Sequence, residues 1–229
     1  MTKEAIILAG GMGTRLKDVL VDLPKPMAPI RDRPFLAFVF DYLIAQGITK
    51  THLSVGYKKE AIIDTYGHQY QSLELVYAPE DEPLGTGGAI KNACLQVRSD
   101  EVFVINGDTL FPVNLKKMAV FYESTNASLT IALKSLTNFD RYGTVEIEKN
   151  GRITGFAEKK YKEQGLINGG IYLMNTNLIN ELSLPKKFSF EKDVMEQHYA
   201  TQPFFGLAFE DYFIDIGIPE DYERAQHEL

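Results

Sequence analysis

Cys94 is the only cysteine in this 229-residue chain, so an internal disulfide is excluded and a reducing compartment fits. No apolar run approaches the ~20 residues of a membrane-spanning helix. The start, MTKEAIILAGG, has neither a basic leader nor a cleavage site, and a cytoplasmic protein is therefore expected. Positive charge is not in excess. Lys and Arg number 24 against 31 Asp and Glu, a formal charge of -7, and the basic residues are scattered. That balance speaks against a nucleic-acid or anionic-membrane partner. His52, His68, His198 and His227 show no metal spacing and no serine or cysteine partner motif, so they read as structural or surface residues. There is no low-complexity linker and no internal repeat. With 45% hydrophobic and 24% charged residues, the chain has what a soluble globular core needs. It reads as a single α/β domain over 1–229.

The first half alternates buried-strand and amphipathic-helix patterns, as βαβ units do. Ala5 to Ala9 (AIILA) is a short apolar run ending in glycines, the mark of a strand covered on both faces. Helical patterns follow at Phe35 to Ala45, near Lys58 to Tyr66 and at Gly88 to Val97. Strands alternate with them at Thr51 to Val55, Leu73 to Tyr77 and Val102 to Ile105. This order predicts a Rossmann-like three-layer sandwich: a mainly parallel central sheet between helices, with ligands at the carboxyl ends of its strands. The second half turns to mixed strands, at Leu129 to Leu133, Thr144 to Ile147, Ile153 to Glu158, Ile167 to Met174, Phe204 to Phe209 and Tyr212 to Ile216. A helix is expected after Ser189 as N-cap, with Lys192 where a capping box wants an acid, and another opens at Pro219.

Gly10, Gly11 and Gly13 follow the first strand at once, and Thr14-Arg15 follow them. Glycines there let backbone N–H groups approach an anion, with a helix N-terminus behind them. The loop is not a Walker A loop, since no Gly-Lys-Ser/Thr closes it. Nor is it a dinucleotide fingerprint, because Leu16 stands where the third glycine would fall. Farther on, Pro24 and Pro26 fix the backbone around Lys25. Most surface lysines are only solvated charges, but one clamped between prolines behind a glycine loop is placed to meet a phosphate. Together Arg15 and Lys25 could neutralise a triphosphate and its pyrophosphate leaving group.

The run Gly10-Gly11-Met12-Gly13-Thr14-Arg15-Leu16, followed by Pro24-Lys25-Pro26, resembles the signature of the sugar-1-phosphate nucleotidyltransferases, the NDP-sugar pyrophosphorylases. The likeness spans essentially the whole chain. Within the family it is greatest to the heptose 1-phosphate guanylyltransferases, with the mannose 1-phosphate guanylyltransferases next. The resemblance implies a GT-A-like nucleotidyltransferase fold and one metal-assisted reaction. A sugar phosphate oxygen attacks the α-phosphorus of an NTP, and pyrophosphate departs. It further implies that 1–110 is mainly the nucleotide-binding half and 111–229 mainly the sugar-phosphate half. Leu8, Ala9, Gly10, Gly11, Gly13, Thr14, Arg15, Lys25, Gly107 and Asp108 would bind the nucleotide, with Arg15, Lys25 and Asp108 catalytic. Family members with a carboxy-terminal β-helix continue well beyond Leu229, so no such domain is expected here. The oligomeric state stays open, a homo-oligomer included.

Asn106-Gly107-Asp108 ends the strand Val102 to Ile105, and Asp215-Ile216-Gly217 ends a later one. A lone Asp before a turn is most often a turn former. Both, however, match the family's metal positions, and Mg²⁺ takes one or two carboxylates beside substrate phosphates. Asp211 has no such match and reads as surface. Glu80 to Ala89 (EDEPLGTGGA) resembles the family's base-binding loop, so Gly85 and Thr86 would lie against the base. A carboxylate there suits guanine, whose N1–H and N2 amino group are two parallel donors; Glu80 and Glu82 both remain candidates. By the same likeness, Tyr142-Gly143, Phe156-Ala157-Glu158-Lys159 and Asn168-Gly169-Gly170 are sugar-phosphate elements. Glu158 would accept from sugar hydroxyls, Lys159 would meet the sugar phosphate, and Tyr142, Gly143, Asn168 and Asp215 would complete the pocket. Tyr172 and Glu191 would line its far side.

The expected activity is thus GMP transfer from GTP to D-glycero-α-D-manno-heptose 1-phosphate, with Mg²⁺ and without a covalent intermediate, in the service of a surface glycan such as lipopolysaccharide, capsule or S-layer. The nearest alternative keeps the chemistry with mannose 1-phosphate or another NTP and hexose 1-phosphate. A catalytically silent nucleotide-sugar sensor should have lost an anchor, yet Arg15, Lys25, Asp108, Lys159 and Asp215 are all present. A phosphocholine cytidylyltransferase would need a cage for a trimethylammonium group.

Overall fold

Strand β1 (Glu4–Leu8) is buried on both faces, as its unbroken apolar run requires, and the sheet extends from it in both directions. The computed structural model describes residues 2–11 and 23–229. After a 3-10 turn at Lys25–Met27 come the hairpin strands β2 (Pro29–Ile30) and β3 (Arg33–Pro34), then α1 (Phe35–Ala45) and β4 (Lys50–Val55). Next are α2 (Lys59–Tyr66), β5 (Gln69–Tyr70), β6 (Leu73–Pro79), α3 (Gly85–Cys94), β7 (Glu101–Asn106) and β8 (Thr109–Leu110). The second half begins with α4 (Leu115–Thr125), β9 (Leu129–Phe139), β10 (Thr144–Ile147), β11 (Ile153–Ala157) and β12 (Lys162–Asn175). A π-helical segment at Phe190–Met195 leads into α5 (Glu196–His198), followed by β13 (Phe204–Phe209), β14 (Ile214–Asp215) and α6 (Pro219–Glu228).

One sheet of ten strands runs β11-β10-β12-β7-β1-β4-β6-β5, with β9 and β13 joined through β12. Strands β7, β1, β4 and β6 are parallel, whereas β12 lies antiparallel to β7 and so carries the second half onto the first. Alternate residues of the central strands face opposite layers. Ile7, Phe103 and Ile105 pack with α1, α4 and Ala225 of α6; Ile6, Val102 and Val104 pack with Ile90 and Ala93 of α3 and with Phe190 and Val194. This is the expected mainly parallel sheet between helical layers. The β2–β3 hairpin is tied to α6, whose Tyr222 hydroxyl donates to Pro29 O at 2.6 Å and whose Gln226 Nε2 donates to the same oxygen at 2.7 Å.

Several details differ from the sequence reading. Helix α3 starts at Gly85 rather than Gly88, because Phe188 O accepts the N–H groups of both Gly87 and Gly88 and anchors the first turn. Helix α4 was not expected, although its buried Leu115, Met118, Ala119 and Tyr122 have helical spacing and Asn114 Oδ1 caps it by accepting from Lys117 N. Ser189 does serve as N-cap, accepting from Lys192 N. The reciprocal acid is Asp193, one residue late, accepting from Ser189 N at 2.7 Å in keeping with the wider π turn. The strand expected over Tyr212 to Ile216 reduces to β14, which pairs only with β8.

Candidate active site

The carboxyl ends of β1, β4 and β7 open into a cavity of about 560 Å³, walled by Leu8, Gly10, Gly11, Ser54, Glu80, Glu82, Gly85, Thr86 and Asp108 among others. Space is tight on one side of it: a Cβ on Gly10 would stand 2.7 Å from Glu80 Oε1, whereas one on Gly11 would meet nothing within 4 Å. Ala9 is buried beneath the wall and donates its N–H to Ser54 O. Gly107 N–H donates to Leu8 O at 3.0 Å, stitching the end of β7 to that of β1 and setting the direction in which Asp108 leaves the sheet. Met12, Gly13, Thr14, Arg15 and Leu16 lie outside the described residues.

Below the cavity, Lys25 joins two carboxylates that are far apart in sequence. Pro24 is extended (φ -70, ψ 148) and a single 3-10 turn follows, which points Lys25 inward. Its Nζ lies 2.5 Å from Asp108 Oδ2 and 3.6 Å from Asp215 Oδ1. The pairing of Asp215 with Thr109 across β14 and β8, and the bond from Ile216 N to Asp108 O, hold the two carboxylates together. A Cβ on Gly217 would stand 2.9 Å from Asp215 Oδ1, so glycine keeps this corner open. Burial, then the neighbouring Asp108 charge, push the Asp215 carboxyl above its ordinary 3.8, against the pull of Lys25 and Arg141. Asp215 Oδ1 is buried and accepts no hydrogen bond. Two converging carboxylates with such an oxygen fit a hard divalent cation whose remaining positions phosphate oxygens and water can fill.

The base-side loop is shaped by both halves of the chain. Glu80 accepts from Ser54 Oγ at 2.8 Å through Oε1 and from Leu84 N at 3.0 Å through Oε2, which turns its carboxylate back over Gly10. Glu82 instead pairs with Lys186 at 2.5 Å, and both side chains are largely exposed. Gly85 adopts φ +73, in the left-handed region that glycine favours. The Thr86 hydroxyl has its proton committed, donating to Glu191 Oε2 at 2.6 Å, and accepts from Phe190 N at 2.9 Å. Phe188 packs so closely on Gly87 that a Cβ there would overlap its ring.

The other expected sugar-side residues stand outside the wall of this cavity. Tyr142 packs edge-on against Phe213 at 6.2 Å, and burial, then the Asp215 charge, raise its hydroxyl to about 12. Arg141 lies over the Tyr142 ring and pairs with Asp221 at 2.6 Å. Gly143 approaches β11 closely, since a Cβ there would be 2.6 Å from Ala157 O. Glu158 and Lys159 follow β11 with exposed side chains. Asn168 donates to Tyr172 OH at 2.8 Å and accepts from Gly170 N at 2.9 Å, bracing the irregularity of β12 where it changes partners. Asp211 is exposed, as expected. Sequence reasoning missed Ser54, whose only signal is a polar residue near the carboxyl end of a strand that also carries Thr51 and His52. It also missed Phe188, which carries no local signal.

Residues 4–229 match the Nucleotidyl transferase family. The D-glycero-alpha-D-manno-heptose 1-phosphate guanylyltransferase of Aneurinibacillus thermoaerophilus is 50% identical over 226 residues, covering 99% of this chain and 98% of that protein. The protein of the same name from Campylobacter jejuni is 47% identical, with 96% of each chain covered. Among solved structures, HddC from Yersinia pseudotuberculosis superposes with a TM-score of 0.89 at 39% identity over 98% of both chains. Its complex with GMP-PN gives 0.88. With its fold, its glycine-lined cavity and the match over nearly its whole length, the chain belongs to the nucleotidyl transferase family.

Proposed function

We propose that this chain transfers GMP from GTP to D-glycero-α-D-manno-heptose 1-phosphate, giving the GDP-heptose and pyrophosphate. The observation that carries the chemistry is the convergence of Asp108 and Asp215 on Lys25 below a cavity at the strand ends. The substrate pair rests on the two guanylyltransferases matched along nearly their full length. The continuous sheet, in which β12 pairs with β7, supports one domain with a nucleotide half and a sugar-phosphate half.

A sugar phosphate oxygen attacks the α-phosphorus, and the bond to pyrophosphate breaks with its electron pair leaving on pyrophosphate. Lys25, together with Arg15, meets the charge that develops there. Asp108 and Asp215 would hold the divalent cation, read as Mg²⁺, which would supply charge neutralisation at the phosphates. Glu80 accepts from guanine N1–H and the N2 amino group. Both acids stand in the cavity wall; what supports Glu80 is that Ser54 and Leu84 N–H hold its carboxylate there, whereas that of Glu82 is taken up by Lys186. Gly85 and Thr86 lie against the base through their backbone, since the Thr86 hydroxyl proton is already committed to Glu191. Glu158, Lys159, Tyr142, Gly143 and Asn168 serve the sugar phosphate, and binding both anions in register lowers the barrier by positioning. No helix of the described residues is long and apolar enough to cross a membrane; the cytoplasm is the proposed site of action because both matched relatives are named for nucleotide-sugar synthesis.

The test is pyrophosphate release with Mg²⁺, crossing GTP, ATP, CTP, UTP and dTTP with heptose, mannose and glucose 1-phosphates. GTP with heptose 1-phosphate should lead; a clear preference for another pair rejects the substrate assignment.

A further inference from the structure

Ser54 is fully buried at the carboxyl end of β4, yet its hydroxyl reaches the cavity wall. It donates to Glu80 Oε1 at 2.8 Å, while the Leu84 N–H donates to Oε2 at 3.0 Å. One donor therefore sits on each oxygen, and a carboxylate held at both oxygens cannot turn about its terminal bond without losing one of them. Each oxygen keeps one further acceptor position. The room for this arrangement comes from Gly10, where any Cβ would stand 2.7 Å from Glu80 Oε1.

We infer that Ser54 is a positioning residue for base selection, fixing the plane of the Glu80 carboxylate so that both oxygens meet the two parallel donors of guanine. This rests on the reading of Glu80 as the base-contacting acid. An unfixed carboxylate still meets a single N–H donor by rotating. It loses the simultaneous second bond, because two parallel donors demand a defined plane. The signature is thus selective: loss of Ser54 should harm a base with two donors more than a base with one. Hypoxanthine supplies that control, since it keeps N1–H and lacks the N2 amino group. GTP and ITP share the same triphosphate and ribose, so their ratio is insulated from effects on the metal, the phosphates or the sugar.

The experiment measures kcat/KM for GTP and ITP, with one sugar 1-phosphate held constant, in the wild type, Ser54→Ala, Gly10→Ala, Glu80→Gln and the Ser54→Ala/Glu80→Gln pair. The wild type should prefer GTP by about 10- to 100-fold, the span of one charge-assisted hydrogen bond. Ser54→Ala should cut that ratio about fivefold or more, chiefly through the KM for GTP. Gly10→Ala, which crowds the carboxylate without touching β4, should cut it likewise and covers the case in which Ser54→Ala fails to fold. In the Glu80→Gln background, Ser54→Ala should change the ratio no further. Equal losses for GTP and ITP in both single variants overturn the inference, as does a Ser54→Ala effect that persists without Glu80. A ratio unmoved by Glu80→Gln overturns the base reading itself. A ratio moved by Glu80→Gln alone leaves that reading standing and removes only Ser54's part.

Discussion

Lys25 Nζ stands 2.5 Å from Asp108 Oδ2 although 83 residues separate the two in the chain. The contact joins the 3-10 turn at Lys25–Met27 to the end of β7, and the pairing of β14 with β8 brings Asp215 to the same ammonium. Three charges assigned to one reaction are therefore held together by backbone pairing rather than by a single loop.

Asp108→Asn keeps the shape of this cluster and removes a charge. Mg²⁺-dependent pyrophosphate release is expected to fall by about 10²–10³-fold, the range for loss of one preorganised electrostatic group. Retention of activity within tenfold of the wild type would remove Asp108 from the mechanism.

Asp215→Asn should separate stability from function. Asp215 Oδ1 is buried without a hydrogen bond, and the side chain faces the Asp108 charge. Burying a poorly compensated charge destabilises a fold, and sites of chemistry commonly carry that burden. The metal-free variant should melt above the metal-free wild type at neutral pH, while Mg²⁺ with GTP should stabilise the wild type more. Paired thermal melts decide the point; a lower melting temperature for the metal-free variant contradicts it.

The acid limb of stability should involve Glu4. Burial pushes its carboxyl up, but the bonds from His52, Ser99 Oγ and Arg98 N–H outweigh burial, leaving it below its ordinary 4.5. A carboxylate lowered by folding contributes stability above its unfolded value and loses that contribution as pH falls through the folded one. Denaturant titrations at neutral pH and well below pH 4.5 should show Glu4→Gln losing less stability on acidification than the wild type. Parallel losses refute the linkage.

Gly87→Ala should damage the fold through Phe188, because the added Cβ overlaps the ring. Overpacking of this kind costs ~1–3 kcal/mol, and each kcal/mol lowers the melting temperature by roughly 2–4 °C at this chain length. Adding Phe188→Leu should recover part of the loss; an unaltered melting temperature in Gly87→Ala would show that the ring moves aside freely.

The parallel half of the sheet was legible because Ala5 to Ala9 and Val102 to Ile105 are apolar runs of the kind a strand covered on both faces carries, and the helical patterns between the strands set the βαβ alternation. Lys25, flanked by prolines, was legible for the same kind of reason: its backbone restriction is local. Helix α4 went unread, although Leu115, Met118, Ala119 and Tyr122 repeat at helical spacing, because it opens a stretch otherwise rich in strands. Other features depend on partners distant in sequence. Nothing near Gly85 announces that Phe188 will accept the N–H groups of Gly87 and Gly88 and start α3 early. Nothing near Glu80 or Glu82 tells which will meet Ser54 and which will pair with Lys186.

The most direct test of substrate choice is a single Mg²⁺-containing reaction supplied with GTP, ATP, CTP, UTP and dTTP and with equimolar heptose, mannose and glucose 1-phosphates, the NDP-sugar products being weighed by mass spectrometry. GDP-heptose is expected as the dominant product, and its formation should collapse in Asp108→Asn. A dominant GDP-hexose, or any NDP-sugar on another base, would contradict the assignment.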